Sequence, residues 1–228
     1  MTTTTLQRPF NDDDAFANCH FFPWVGPDYL AGVIDGLRVL VLGESHYSFG
    51  LPAAKERGLT RLVIREELDG KMRHRFISGV TSALFGRATV DDRARFATLW
   101  NAMAFYNYVQ EYAGDGPRKR PSDAAWLRSA APFRSVLTAI QPDFVLACGR
   151  MLYERLKQVD GLTDQAEYGK DGDKRTRSRL IDIGGGRKGV LGMMYHPASF
   201  GFRAVEWQPR IHEYLDRAEQ VRANQLGA

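Results

Sequence analysis

The chain has 228 residues, 44% apolar and 25% charged, with 31 Lys and Arg against 27 Asp and Glu for a net charge of +4. That is the composition of a folded globular domain; it excludes a wholly disordered chain, and so small a basic excess permits nucleic-acid binding without arguing for it. Two distant cysteines, Cys19 and Cys148, exclude a disulfide framework, a four-cysteine zinc site and a four-thiolate iron–sulfur cluster built from this chain.

In chain order, residues 1–36 read as a polar N-terminal arm and an aromatic loop. Asn11-Asp-Asp-Asp14 is a turn or helix-start signal, and Phe21-Phe-Pro-Trp-Val-Gly-Pro27 holds too much Pro and Gly for a regular element. Leu37 to Leu42 is a short apolar run ending at Gly43, the pattern of a buried strand. Residues 52–85 look helical, and a second helix is expected over 91–101, opened by Asp91-Asp92. Residues 51–95 are thus a helical insert before the next strand, expected at 102–109. Gly114 to Pro121 is a polar loop, after which Ser122 starts a helix that ends before Pro142. Further strands are expected at 143–148 and 190–195, with helices over 150–157 and after 203. Residues 165–179 are polar and carry Lys174, Arg175, Arg177 and Arg179. No stretch reaches the roughly 18 consecutive apolar residues of a membrane span. The first residues lack the apolar core of a secretory signal, so a cytoplasmic protein with no membrane partner is expected. Strands alternate with helices without repeat or linker. The prediction is one α/β domain, a three-layer αβα sandwich around a mainly parallel sheet of four or five strands.

Ligands of open α/β sheets bind beyond the carboxyl ends of the strands. Three such ends carry unusual polar residues: Gly43-Glu-Ser-His-Tyr47, Asn107 between two tyrosines, and His196-Pro-Ala-Ser199. A carboxylate, an amide and an imidazole from three strand ends can converge on one small ligand.

The segments Leu40-Val-Leu-Gly-Glu-Ser-His-Tyr47, Ala104 to Val109, Asp143 to Arg150 and Met194-Tyr-His-Pro-Ala-Ser199 stand in an order that resembles the uracil-DNA glycosylase superfamily over roughly residues 37–216. The resemblance implies that fold and a monofunctional DNA glycosylase, which hydrolyses the N-glycosidic bond of a flipped uracil or modified pyrimidine and leaves an abasic site. It points to base excision in DNA repair, or to defence against modified viral DNA. It implies Glu44 and His196 as catalytic residues, and Gly43, Ser45, His46, Tyr47, Phe49 and Asn107 around the base. A loop of Ser199, Phe200, Phe202 and Arg203 would enter the DNA, and the basic residues of 174–179 and Arg118-Lys-Arg120 would supplement contacts to the backbone. No cofactor or metal and a monomeric state are expected. Many members place Asp two residues after the motif's Gly, where this chain has Ser45, and His46 replaces the usual Pro; Glu44 matches the branches with Glu directly after Gly.

The residue types suit that chemistry. A carboxylate can stabilise an oxocarbenium ion and orient water, a neutral imidazole can donate to the departing base, and an Asn amide can read a pyrimidine edge. No Lys lies within the motifs, which argues against a Schiff-base intermediate. Each residue also has a plainer role: Glu44 as a cap or ion-pair member, His196 in the core, Asn107 in a turn with Asn101 as base reader, Phe200 and Phe202 as loop anchors. Two other functions stay open. One is a catalytically silent nucleic-acid-binding module of the same fold. The other is a serine hydrolase using Ser45, Asp182 and His196, which lacks the Gly a nucleophile elbow needs two residues after Ser.

Overall fold

The computed structural model describes residues 13–48, 57–116, 119–169 and 177–227. Phe49, Lys174 and Arg175 lie outside the described residues, as do the first part of the predicted insert and Asn11-Asp12 of the arm.

Six strands form one mixed sheet: β1 (Trp24–Val25), β2 (Val39–Gly43), β3 (Ala104–Asn107), β4 (Phe144–Cys148), β5 (Ser178–Asp182) and β6 (Lys188–Met194), in the order β1-β3-β2-β4-β6-β5. The central four run parallel, and β1 and β5 close the edges antiparallel. The expected sheet of four or five strands is therefore corrected to six among the described residues. Neither added strand has an apolar run. Trp24 and Val25 form a two-residue edge against Phe105 and Ala104, held also by the Trp24 indole donating to the Trp100 carbonyl at 3.0 Å. Ser178–Asp182 is a polar edge strand, as edges often are. It is folded onto β6 by a turn in which Gly184, Gly185 and Gly186 all have positive φ.

The helices are α1 (Leu59–Leu68), α2 (Arg75–Phe85), α3 (Arg87–Asp91), α4 (Arg93–Asn101), α5 (Asp123–Arg128), α6 (Ala130–Ile140), α7 (Arg150–Leu156) and α8 (Ala204–Leu226). The helix expected over 52–85 is broken where Gly70 adopts φ 73°. Two starts follow local chemistry: the side chain of Asp92 accepts from Arg95 N–H, and that of Ser122 from Ala125 N–H. Helices cover both faces of the sheet. Phe105 meets Phe76 and Trp100 on one face, and its neighbour Tyr106 stacks on Phe133 of α6 on the other. The aromatic N-terminal segment belongs to the core, with Phe16, Phe21, Phe22, Trp24 and Tyr29 all buried. Among the described residues no helix is long and apolar enough to cross a membrane.

Candidate functional site

Because β3, β2, β4 and β6 are parallel, Asn107, Gly43, Cys148 and Met194 end at one edge of the sheet. The chain leaves β2 for β3 on one side and later returns to β4 on the other, so Glu44 emerges at a topological switch point, where open α/β sheets hold ligands. Asn101 precedes β3 and lies at the opposite edge, so Asn107 is the amide at this one.

Residues 44–48 continue alongside 108–114: Tyr108 N–H donates to the Gly43 carbonyl, Val109 to that of Glu44, Ala113 to that of His46, and Ser48 to that of Gly114. Side chains alternate along such an extended segment. His46 turns inward, while Glu44, Ser45 and Tyr47 are half-buried. His46 Nε2 lies 2.8 Å from Thr60 Oγ1 and 3.1 Å from Asn107 Nδ2. Since the amide nitrogen can only donate, Nε2 accepts and the ring proton sits on Nδ1. Burial pushes the His46 pKa down to about 3, so the ring is neutral. Its other face meets Phe21 edge-on at 4.8 Å. Asn107 is fixed from two further directions. Gln110 donates to its carbonyl at 2.8 Å, and its Oδ1 lies so close over Gly43 that a Cβ there would sit 2.1 Å away. Gly43, His46, Thr60 and Asn107 therefore interlock, and His46 is a positioning group behind the edge rather than a wall of it.

Glu44 points outward. Both carboxylate oxygens accept from Arg120 Nη1, at 3.1 and 3.0 Å, and the Glu44 side chain is 15% exposed against 69% for Arg120. His196 follows β6. Its Nδ1 accepts from Ala198 N–H at 3.2 Å, which leaves Nε2 to carry the proton. Desolvation, and secondly the Arg120 charge, lower its pKa below the ordinary histidine value. The imidazole is thus neutral at pH 7, and one guanidinium is close to both Glu44 and His196. Ser199 closes the turn, its N–H and Oγ both donating to the His196 carbonyl.

Helix α2 sets the pose of this turn. Phe76 packs between His196 and Phe105 at ring separations of 5.3 and 5.5 Å, and Gly79 lies against Pro197 so closely that a Cβ would come within 2.6 Å of the proline Cβ. Beyond the turn, Phe200 is fully exposed, Phe202 packs on the core, and Arg203 pairs with Glu206 at 3.2 Å. A cleft of about 400 Å³ opens behind this loop between α2 and α8, lined by Arg75, Ser82, Phe202 and Gln208 among others. It adjoins Pro197 and contains none of Glu44, His46, Asn107 and His196.

No protein-family model matches this chain, and no curated protein is similar to it in sequence.

The geometry removes one arrangement weighed from sequence. Asp182 pairs with Lys188 at the amino end of β6 and accepts from Gly184 N–H, so it lies the length of that strand, about 20 Å, from the edge bearing His196. Ser45, Asp182 and His196 form no triad. Arg177 and Arg179 both donate to Glu167, at 3.2 Å each, and so belong to an ion-pair network on the β5 side. Sequence reasoning missed Arg120 as Glu44's partner, Thr60, Gln110 and Gly79. Only Gly79 left a signal, an isolated glycine inside a helical pattern, which marks close packing.

Proposed function

We propose that the protein is a monofunctional DNA glycosylase that releases uracil or a modified pyrimidine from DNA. The observation that carries this reading is the presence, at one edge of four parallel strands, of a carboxylate and of a neutral imidazole whose Nδ1 is spent on a backbone N–H, both beside the Arg120 charge. Cleaving an N-glycosidic bond places positive charge on the sugar and negative charge on the departing base. Glu44 stabilises the first and orients the water that attacks C1′; His196 Nε2–H donates to the base carbonyl that gathers the second. Asn107 reads the pyrimidine edge, for which its buried amide must turn from His46 Nε2 toward the base. Tyr47 and Ser45 flank the base, and Phe200, at the tip of a compact turn next to His196, fills the vacancy left by the flipped nucleotide. The uracil-DNA-glycosylase-like fold is part of the same proposal, supported by strand ends bearing Glu44, Asn107 and His196 in the expected order. DNA is the partner and the protein acts as a monomer. Attack by water, with no amine nucleophile in the motifs, leaves an intact abasic strand.

The test is a panel of single- and double-stranded oligonucleotides carrying uracil or 5-modified pyrimidines, scored by alkaline cleavage of abasic sites. Removing one group that faces developing charge typically costs about 10²–10³ in turnover, so Glu44→Gln and His196→Ala each fall in that range while DNA affinity holds. A borohydride-trapped enzyme–DNA adduct would overturn the mechanism. Base release at the wild-type rate in both variants would overturn the site. A second reading, a silent nucleic-acid-binding module, is favoured by one observation: Glu44 is already neutralised by Arg120. It predicts DNA binding with no abasic sites from any oligonucleotide.

A further inference from the structure

We infer that Arg120 is the phosphodiester-binding residue of this site, and that it uncovers Glu44 when the substrate strand takes its guanidinium. The inference rests on the glycosylase reading above and says what starts the reaction. Arg120 spends only Nη1 on Glu44, where it serves both carboxylate oxygens. Its Nε and Nη2 donors have no partner among the described residues, and the guanidinium lies on the solvent side of a carboxylate that is otherwise nearly covered. Arg120 thus stands over Glu44 with donors to spare, and a planar guanidinium binds a phosphate through two parallel hydrogen bonds.

The present pairing is also wrong for catalysis. A carboxylate stabilises a sugar cation through its field, and a guanidinium 3.0 Å away cancels most of that field. It also takes one acceptor site on each carboxylate oxygen, in competition with the attacking water. Moving Arg120 from carboxylate to phosphate corrects both faults at once, because the cation ends on the backbone and the anion is left under the sugar. The Arg120 half of the pair is 69% exposed, so its guanidinium is free to exchange one anion for another through solvent. A nucleoside, which brings no phosphate, would leave the pair closed and react slowly even if it fits.

The test reads Glu44 directly. Protein labelled with ¹³C at glutamate carboxyls is titrated with an oligonucleotide carrying an uncleavable 2′-fluoro target nucleotide, the Glu44 signal being assigned by its loss in Glu44→Gln. A matched oligonucleotide has uncharged methylphosphonates flanking the target. The phosphodiester strand should move the Glu44 resonance in the wild type, and the methylphosphonate strand should not. Arg120→Gln should show the moved position without DNA, bind DNA several-fold more weakly, and lose about one unit of salt slope. An unmoved Glu44 resonance with phosphodiester DNA, or wild-type affinity and salt slope in Arg120→Gln, would overturn the inference. The readout needs no base release, so a chain that shows this exchange and makes no abasic site refutes the glycosylase reading while leaving the Arg120 assignment standing.

Discussion

Gly43→Ala isolates the contact on which the edge of the sheet depends. Gly43 ends a strand and is not among the residues with positive φ, so alanine brings no backbone strain of its own. The new Cβ would instead lie 2.1 Å from Asn107 Oδ1, with Phe105 Cε2 at an ordinary 3.4 Å. The amide must move, and moving it breaks the hydrogen bond from Nδ2 to His46 Nε2. Overpacking of this kind costs about 1–3 kcal/mol, and a buried neutral hydrogen bond adds about 1 kcal/mol. Gly43→Ala should therefore destabilise by about 2–4 kcal/mol, a large part of a typical domain stability. In an Asn107→Ala background the obstructing amide is gone and the same substitution should cost less than about 0.5 kcal/mol. Urea unfolding of the four proteins gives the coupling energy, expected at about 1.5–4 kcal/mol. Equal costs in the two backgrounds would refute the interlock, as would a neutral Gly43→Ala in the wild type.

Three further outcomes follow from the same geometry. The imidazole of His46 is held near pKa 3 by burial, whereas unfolding restores an ordinary value near 6.5. As pH falls the unfolded state is protonated first, so this stabilisation is complete above about pH 6.5 and is lost progressively toward pH 3. Unfolding free energy should drop by about 2 kcal/mol between pH 6.5 and 5, and a His46→Gln protein that shows the same drop would place its origin elsewhere. Gly79→Ala drives a Cβ to 2.6 Å from Pro197 Cβ and 3.3 Å from its carbonyl oxygen. The His196 turn should shift and turnover fall about 10²-fold, with displaced His196 ring resonances; unchanged resonances would remove α2 from the positioning of that histidine. Phe200 is fully exposed, so Phe200→Ala should leave the unfolding free energy within about 0.5 kcal/mol. Affinity for DNA, read by fluorescence anisotropy, should weaken by about 1–3 kcal/mol if the ring stacks on bases; unweakened binding would discard the wedge.

Much of this protein was legible in local chemistry. The apolar runs ending at Gly43, Cys148 and Met194 are strands in the structure because a parallel strand buried on both faces must be apolar throughout. Asp92 and Ser122 cap helices because each side chain reaches an amide three residues on. The polar residues after β2 and β6 and at the end of β3 come to one edge because the three strands are parallel, and the alternation of strands and helices already implied that. What the sequence could not carry was pairing across long separations. Trp24–Val25 and Ser178–Asp182 are strands only because β3 and β6 offer them open edges. His46 reads like any polar residue of a strand-end motif, and only its packing against Phe21, Thr60 and Asn107 makes it a buried neutral acceptor. Arg120 reads in sequence as one cation of a polar loop; its meeting with Glu44, 76 positions away, exists only once the sheet has brought the two loops together. Local propensity acts over a few residues, so it can fix a strand or a cap, whereas a side chain's partner and its protonation state are fixed by whatever the folded chain places against it.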